Sequence, residues 1–289
     1  MKIGVFLLMF IFMAMSCQNK NNNSKVFHKV VNLDKDLVEV SGIVATDTLV
    51  WAIEDSGNKT NIYGINYQGK TQKTIQLKGI SNRDWEDLTH DKNNNLYIGD
   101  FGNNDNSRRD LVIYKVSTKK GVDTIEKINF FYPEQKEFPA KKREKLYDCE
   151  AFFLFQNNFY LFTKNRSKGF DGTTLLYKIP AVAGNHTAHL MGKFKTCSNN
   201  NSCAITGAAI SPDEKKVVIL SHDKIWLFED FKEDDFLNGK IVELTLDHYS
   251  QKEAISFKDD QTLYIADERH KKTGGNLYEV SLAKLKSSH

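Results

Sequence analysis

The sequence predicts an all-β fold: a single β-propeller of five blades, closed by an N-terminal strand. Three observations lead there. One unit of short strands and polar turns recurs five times. The runs between turns are rich in β-branched and aromatic residues. No long segment carries a helical period. With only 4 prolines, no Pro-rich linker divides the chain, and 289 residues suit one large all-β domain.

Each unit opens on a short strand: Glu39 to Ile43, Asp84 to Leu88, Asp148 to Phe152, Thr206 to Ile210 and Gln251 to Ile255. A polar turn follows, then second strands at Leu49 to Ile53, Leu96 to Gly99, Phe159 to Phe162, Val217 to Leu220 and Leu263 to Ala266. Third strands follow at Asn61 to Ile65, Leu111 to Val116, Leu175 to Ile179, Ile225 to Phe228 and Asn276 to Val280. Four units add a fourth strand: Thr74 to Leu77, Ile125 to Tyr132, His189 to Phe194 and Ile241 to Leu246. The fifth unit runs out of chain after its third. The strand-like run Lys25 to Leu33 can supply the missing outer strand and close the ring, which removes the exposed sheet edges. Six blades is the alternative, if Glu134 to Tyr147 hides structure; we read that stretch as a basic surface loop.

The first residues differ in kind. Met1-Lys2 is a short basic start, and Ile3 to Met15 is almost unbroken apolar sequence, too short for a permanent membrane span. It ends at Ala14-Met15-Ser16-Cys17, which resembles a bacterial lipobox, although Met15 is larger than usual there. Residues 1–16 are therefore read as a lipoprotein signal peptide, Cys17 as the acylated residue, 17–24 as a polar tether and 25–289 as the propeller. An ordinary cleaved signal is the alternative. The expected location is the bacterial cell envelope, with the membrane engaged by the lipid anchor alone.

Of the other cysteines, Cys197 and Cys203 bracket a Ser/Asn loop and would form a disulfide in an oxidising compartment, two free thiols being the alternative. No second Cys/His pair has zinc-ligand spacing. Cys149 reads as a small buried residue. With 40 basic and 37 acidic residues, net charge +3 gives no case for nucleic acid.

The opening strand of each blade lines the channel, and residues two apart share an environment. Glu86, Glu150 and Glu253 then lie at one level with Ser41 and Ala208, and Glu39, Asp84, Asp148, Thr206 and Gln251 at the level before. Converging carboxylates repel, raise each other's pKa or recruit a cation, and hard oxygen ligands suit Ca2+ or another divalent ion. The three glutamates are the candidate metal ligands; the alternatives are carboxylates that cap backbone N–H groups or pair with Lys and Arg, and a catalytic role. Asp84, Asp100, Asp148, Lys164, His222 and Asp267 are the candidate ligand-binding residues. Asp100 to Asp105 is either a metal loop or a turn, without EF-hand spacing. Lys164, His222 and Arg269 would bind an anion or neutralise the acids.

Several segments together carry a resemblance. Glu54-Asp-Ser-Gly57, Asp84-Trp-Glu-Asp87, Tyr97 to Asn104 with Arg108-Arg109, Tyr132-Pro133, Asp148-Cys-Glu-Ala151, Thr163-Lys164, Thr206 to Pro212 and Gln251 to Ile255 resemble a group of exported bacterial propeller proteins. That group is similar to the SdiA-regulated, NHL-type and phytase-like esterase propellers. The resemblance implies a propeller and export, and no activity. No nucleophile elbow, Walker loop or zinc helix is present. The function expected is a monomeric lipoprotein whose channel mouth binds a small molecule, glycan or protein, around a divalent cation. The alternative is a metal-dependent hydrolase of a phosphoester, ester or lactone, with one of Glu86, Glu150 or Glu253 as general base.

Mass spectrometry of the membrane fraction is expected to find an acylated Cys17 at the mature N-terminus. A soluble mature chain with an unmodified Cys17 would refute the anchor.

Overall fold

The computed structural model describes residues 26–118 and 124–288. The expected signal peptide, Cys17, the tether and Lys25 lie outside the described residues. β1 (Phe27–Asn32) comes first and belongs to the last blade. The first blade is β2 (Val40–Ala45), β3 (Val50–Glu54), β4 (Asn61–Ile65) and β5 (Thr71–Gln76). The second is β6 (Trp85–His90), β7 (Asn95–Asp100), β8 (Leu111–Ser117) and β9 (Ile125–Phe131). The third is β10 (Asp148–Phe155), β11 (Asn158–Lys164) and β12 (Thr173–Pro180), completed by β14 (His189–Lys195). Between the last two, β13 (Gly184–Thr187) leaves the third blade and pairs in parallel with β9, as a fifth strand on the second. The fourth blade is β15 (Gly207–Ile210), β16 (Val217–Leu220), β17 (Lys224–Glu229) and β18 (Lys240–Thr245). The fifth is β19 (Lys252–Asp259), β20 (Thr262–Asp267) and β21 (Asn276–Ser281), closed by β1 running antiparallel to β21.

The ring therefore has five blades, and Glu134 to Tyr147 adds no sixth. That stretch is strapped across the second and third blades: Gln135 Nε2 and Ala140 N donate to Asn106 O, and Tyr147 N donates to Asn106 Oδ1. The inner strands β2, β6, β10, β15 and β19 touch in a closed cycle around the axis. The described residues form several apolar clusters rather than one central core. Each seam between neighbouring blades has its own, such as Ile53, Trp85, Leu88 and Ile98 between the first and second blades. The fifth seam holds Leu33, Val40, Ala52, Ala254 and Leu277, which ties the first blade to the last.

Closure is reinforced by Lys252, a fully buried lysine. Its Nζ donates to His222 O and His248 O, at 2.7 and 2.5 Å, and lies 5.2 Å from the centre of the Phe27 ring. Phe27 in turn packs on Tyr278 and His248. The closing strand therefore covers a buried ammonium as well as a sheet edge. Cys197 and Cys203 form a disulfide, with Cα atoms 5.5 Å apart, around the short helix α1 (Asn200–Cys203). Cys149 is a buried free thiol.

Removing Phe27 to Asn32 would unpair β21 and uncover Lys252. The expected loss is several kcal/mol, roughly 10 °C in melting temperature, with aggregation through the exposed edge. An unchanged melting curve would contradict the closing role.

Candidate functional site

Four of the five inner strands begin with the same irregularity. In β6, Trp85 pairs with Asp100 and Asp87 with Gly99, so Glu86 is an extra, unpaired residue. Glu150 is skipped in the same way between Cys149 and Ala151, Glu253 between Lys252 and Ala254, and Ser41 between Val40 and Gly42. These are β-bulges, which bend the strand and re-aim side chains. The alignment of the three glutamates with Ser41 is thus a row of bulge residues at one mouth of the channel, rather than one level of a regular alternation.

Ala208 does not belong to that row. The fourth blade has no bulge, and Gly207 pairs with Leu220 where Asp87 pairs with Gly99. Ala208 therefore stands level with Leu88 and Phe152, two positions from the expected place. A strand without the extra residue starts its register later, and the repeat sequence does not mark that.

Just below the bulges, Asp87 closes the axis. Its carboxylate accepts from Leu88 N at 2.8 Å and Phe152 N at 2.9 Å, and the Ala208 N–H also faces it. These N–H groups come from three inner strands at one level. Gly42 packs on the same point, where a Cβ would come within 2.5 Å of Leu88 N and 2.9 Å of Asp87 Cα.

Above this plug, the carboxylates divide into sets. Asp55, Asp84 and Glu86 each offer an oxygen within 4.8 Å of the others, and Glu86 makes a second such group with Asp148 and Glu150. The second group is compensated by the protein. Lys164 Nζ is 3.0 Å from Glu150 Oε2, and Arg166 bridges Asp148 Oδ2 at 2.5 Å and Glu150 Oε1 at 2.7 Å. Asn103 N also donates to Asp148 Oδ1 at 2.6 Å. Against the penalty of burial, Lys164 and Arg166 hold Glu150 below the usual carboxylate range. Burial and the charge of Glu150 push its partner Asp148 up.

The first group is less well compensated: Arg108 and a hydrogen bond from Ser56 lower Asp84, but burial outweighs them. Glu86 is only 7% exposed and accepts no hydrogen bond from any described residue. Burial, then Glu150, Asp55, Asp148 and Asp84, push its pKa well up. Burial chiefly raises Asp84 as well, and takes Asp55 to about 6. Gly102 makes the crowding sterically possible: a Cβ there would lie 2.1 Å from Glu86 Oε1 and 2.4 Å from Asp84 Oδ2. Ser41 Oγ, on the bulge of the first blade, is also buried without a hydrogen-bond partner among the described residues. Buried polar groups are rarely left unpaired in folded proteins.

The other expected site residues are more scattered. Asp100 accepts from Asp84 N at 3.1 Å and from Arg108 Nη2 at 2.9 Å, so the Asp100 to Asp105 segment is a turn built around a buried arginine. Asp267 is turned into its own blade, bound to Asn276 N and Tyr278 OH. His222 Nε2 is 3.1 Å from Glu253 Oε1, and its Nδ1 is 3.3 Å from Tyr249 OH. Sequence reasoning gave no role to Asp55, Arg166 or Glu268, although each stands in a loop after a second strand, where the channel mouth draws its side chains. Glu268 is raised to about 8 by burial, then by Glu253, Asp55 and Glu39.

A cavity of about 1500 Å3 lies at the opposite mouth, walled by Val44, Leu88, Leu154, Ile210 and Phe257. Among the described residues, it holds no carboxylate group close enough to share an ion.

No protein-family model and no curated protein matches this chain. Among solved structures, it is similar to a PQQ-bound aldose sugar dehydrogenase from Streptomyces coelicolor, at 9% identity and TM-score 0.49, over 88% of this chain and 97% of that one. It is also similar to a gluconolactonase from Xanthomonas campestris, at 11% identity and TM-score 0.45, over 88% and 89%. The Dos1 propeller aligns at 11% identity and TM-score 0.41, over 79% of this chain and 52% of that one. The chemistry of the site rests on its own residues.

Glu268 has a consequence for stability. The folded chain keeps its proton up to about pH 8, while the unfolded chain releases it near the ordinary value of 4.5. Between those values the folded state binds more protons, so this group's stabilising contribution is full at low pH and is lost as pH rises through about 8. In chelator, the melting temperature of Glu268→Gln is expected to fall less than that of the unmodified chain between about pH 5 and 8. Parallel profiles would refute the shift.

Proposed function

We propose that this chain is a cell-envelope lipoprotein whose propeller binds a ligand around a divalent cation, with calcium favoured, held by Asp55, Asp84 and Glu86. The observation that carries this reading is Glu86, a buried carboxylate without any hydrogen-bond donor among the described residues, beside two further carboxylates. Burial holds Glu86 in its protonated form well above the usual carboxylate range, and a bound cation would offset that penalty and let it ionise. A cation of hard character fits the donor set, which is all oxygen. Ser41 Oγ and a ligand's own oxygens would complete the coordination shell. The expected set Glu86, Glu150 and Glu253 thus narrows to Glu86. Glu150 is held by Lys164 and Arg166, and Glu253 by His222.

A second reading rests on the His222–Glu253 pair, which is partly open to the mouth. In a cation-dependent hydrolase, this pair is better suited to proton transfer than Glu150, whose charge is neutralised. Chelator-sensitive turnover of an ester or lactone, lost in His222→Gln, would favour that reading over a binder.

Calcium at about 100 times its Kd is expected to stabilise the protein by about 2.7 kcal/mol. Glu86→Gln should behave oppositely in two conditions. Without calcium it should melt higher than the unmodified chain at neutral pH, because Gln is neutral without the protonation that burial forces on Glu86 above its ordinary value of 4.5. With calcium it should gain nothing. A variant that melts lower without calcium and still responds to it would overturn the assignment.

A further inference from the structure

The cavity at the opposite mouth is a blind pocket. Asp87, bound to Leu88 N and Phe152 N, closes its inner end, and Gly42 packs on the same point. Leu88, Phe152 and Ala208 stand at one level there, and strand residues two apart face the same way. One step further out, His90, Leu154 and Ile210 therefore share a level on three neighbouring inner strands, and all three line the cavity. Leu154 and Ile210 are only half-buried, so the concave wall keeps apolar surface uncovered. His90 is solvent-accessible, yet lies deep enough for burial to lower its pKa, which leaves the imidazole mostly neutral at pH 7. Its ring makes no hydrogen bond to any described residue.

The charged groups of the rim are used by other parts of the rim. Lys92 Nζ is 2.7 Å from Glu214 Oε1, and Lys258 Nζ is 2.7 Å from Glu279 Oε2. Asp91 accepts from Asn93 N and Asn95 N, and Asp259 from Gln261 N. Asp47, the remaining lining carboxylate, is exposed on its turn. The closing strand also enters at this end: Phe27 pairs with Val280, beside the turn between Asp259 and Thr262. Cys17 is nine residues before Val26, a reach of about 30 Å at full extension. An acyl anchor on Cys17 would hold this mouth near the bilayer.

We propose that this cavity is a second binding site, for an uncharged amphiphile: an alkyl or acyl chain carrying a hydroxyl or carbonyl group. The chain would lie against Leu154 and Ile210, and the polar group would bond the His90 ring, which in its neutral form offers one donor and one acceptor. A concave, largely apolar wall with few free polar groups is the usual form of a small-molecule site. An ionic ligand is disfavoured, because it would lose its hydration to a wall with no free counter-charge. The site shares no residue with the cation site and stands or falls apart from it. A lipid of the bilayer and a free solute share this chemistry, and the probes below separate them.

The test is calorimetric titration of the full chain with 1-butanol, 1-hexanol and 1-octanol, and with octanoate and octylammonium. Affinity for the alcohols is expected to rise about fourfold per added methylene, and both ions to bind at least about tenfold more weakly than octanol. Leu154→Trp and Ile210→Trp should fill the pocket and abolish octanol binding. His90→Phe, at an exposed position without risk to folding, should weaken octanol about fivefold, the scale of one neutral hydrogen bond. All three should leave the calcium isotherm unchanged. Affinity independent of chain length, or octanol affinity unchanged in every variant that keeps a native melting curve, would overturn the proposal. Tetradecanol supplied in phosphatidylcholine vesicles should raise the melting temperature if the ligand is drawn from the bilayer. Octanol binding without that rise assigns the site to a free solute. Octanol binding without any calcium binding would overturn the cation site and leave this one standing. Calcium binding without octanol binding would do the reverse.

Discussion

The upper mouth depends on the crowding of five inner strands around one axis. At the level of Leu88, Phe152 and Ala208, their free N–H groups point at one another across the channel, and a buried acceptor is needed there. Asp87 supplies it. The bulge at Glu86 makes this possible, because the extra residue lets two consecutive acidic side chains serve the axis. Asp87 is consumed by backbone N–H groups, and Glu86 is left over for the mouth. Gly42 and Gly102 are the complementary requirement: each stands where a Cβ would collide with this arrangement.

The bulge glutamates then meet three different fates, set by the cations that the loops after the second strands bring to each blade. In the third blade, Lys164 and Arg166 neutralise Glu150 and Asp148. In the fifth, His222 from the neighbouring blade engages Glu253. In the second, Asp100 and Arg108 are bound to each other, and Arg108 also bonds Gly102 O, so that cation organises the loop rather than compensating Glu86. The mouth is thus asymmetric in charge despite the near fivefold symmetry of its backbone. The chain is close to neutral as a whole, and the local imbalance is a matter of placement.

Much of this was legible in the sequence. The recurring opening motif and the fourth-strand deficit of the last unit read directly as five blades and a closing strand, since each apolar run has no other way to bury both faces. Glu86, Glu150 and Glu253 were visible as a set because the repeats align them. The bulges were not visible, because one extra residue in a strand looks like ordinary sequence, and parity counting carried Ala208 into a row to which it does not belong. Asp55, Arg166 and Glu268 sit in loops of unequal length, where repeat alignment gives no register. The pairing of β13 with β9 escaped notice because it joins neighbouring blades through a four-residue segment with no apolar pattern.

The central claim is that Glu86 is left without a partner because a cation is its partner. Crystals grown with manganese, in place of calcium, would test it most directly through an anomalous difference map. The account predicts one strong peak within about 2.0 to 2.6 Å of a Glu86 carboxylate oxygen, with Asp55 and Asp84 in the same shell. A map with no peak at Glu86, in crystals where the carboxylate is seen bound to a protein donor or an ordered water alone, would contradict it.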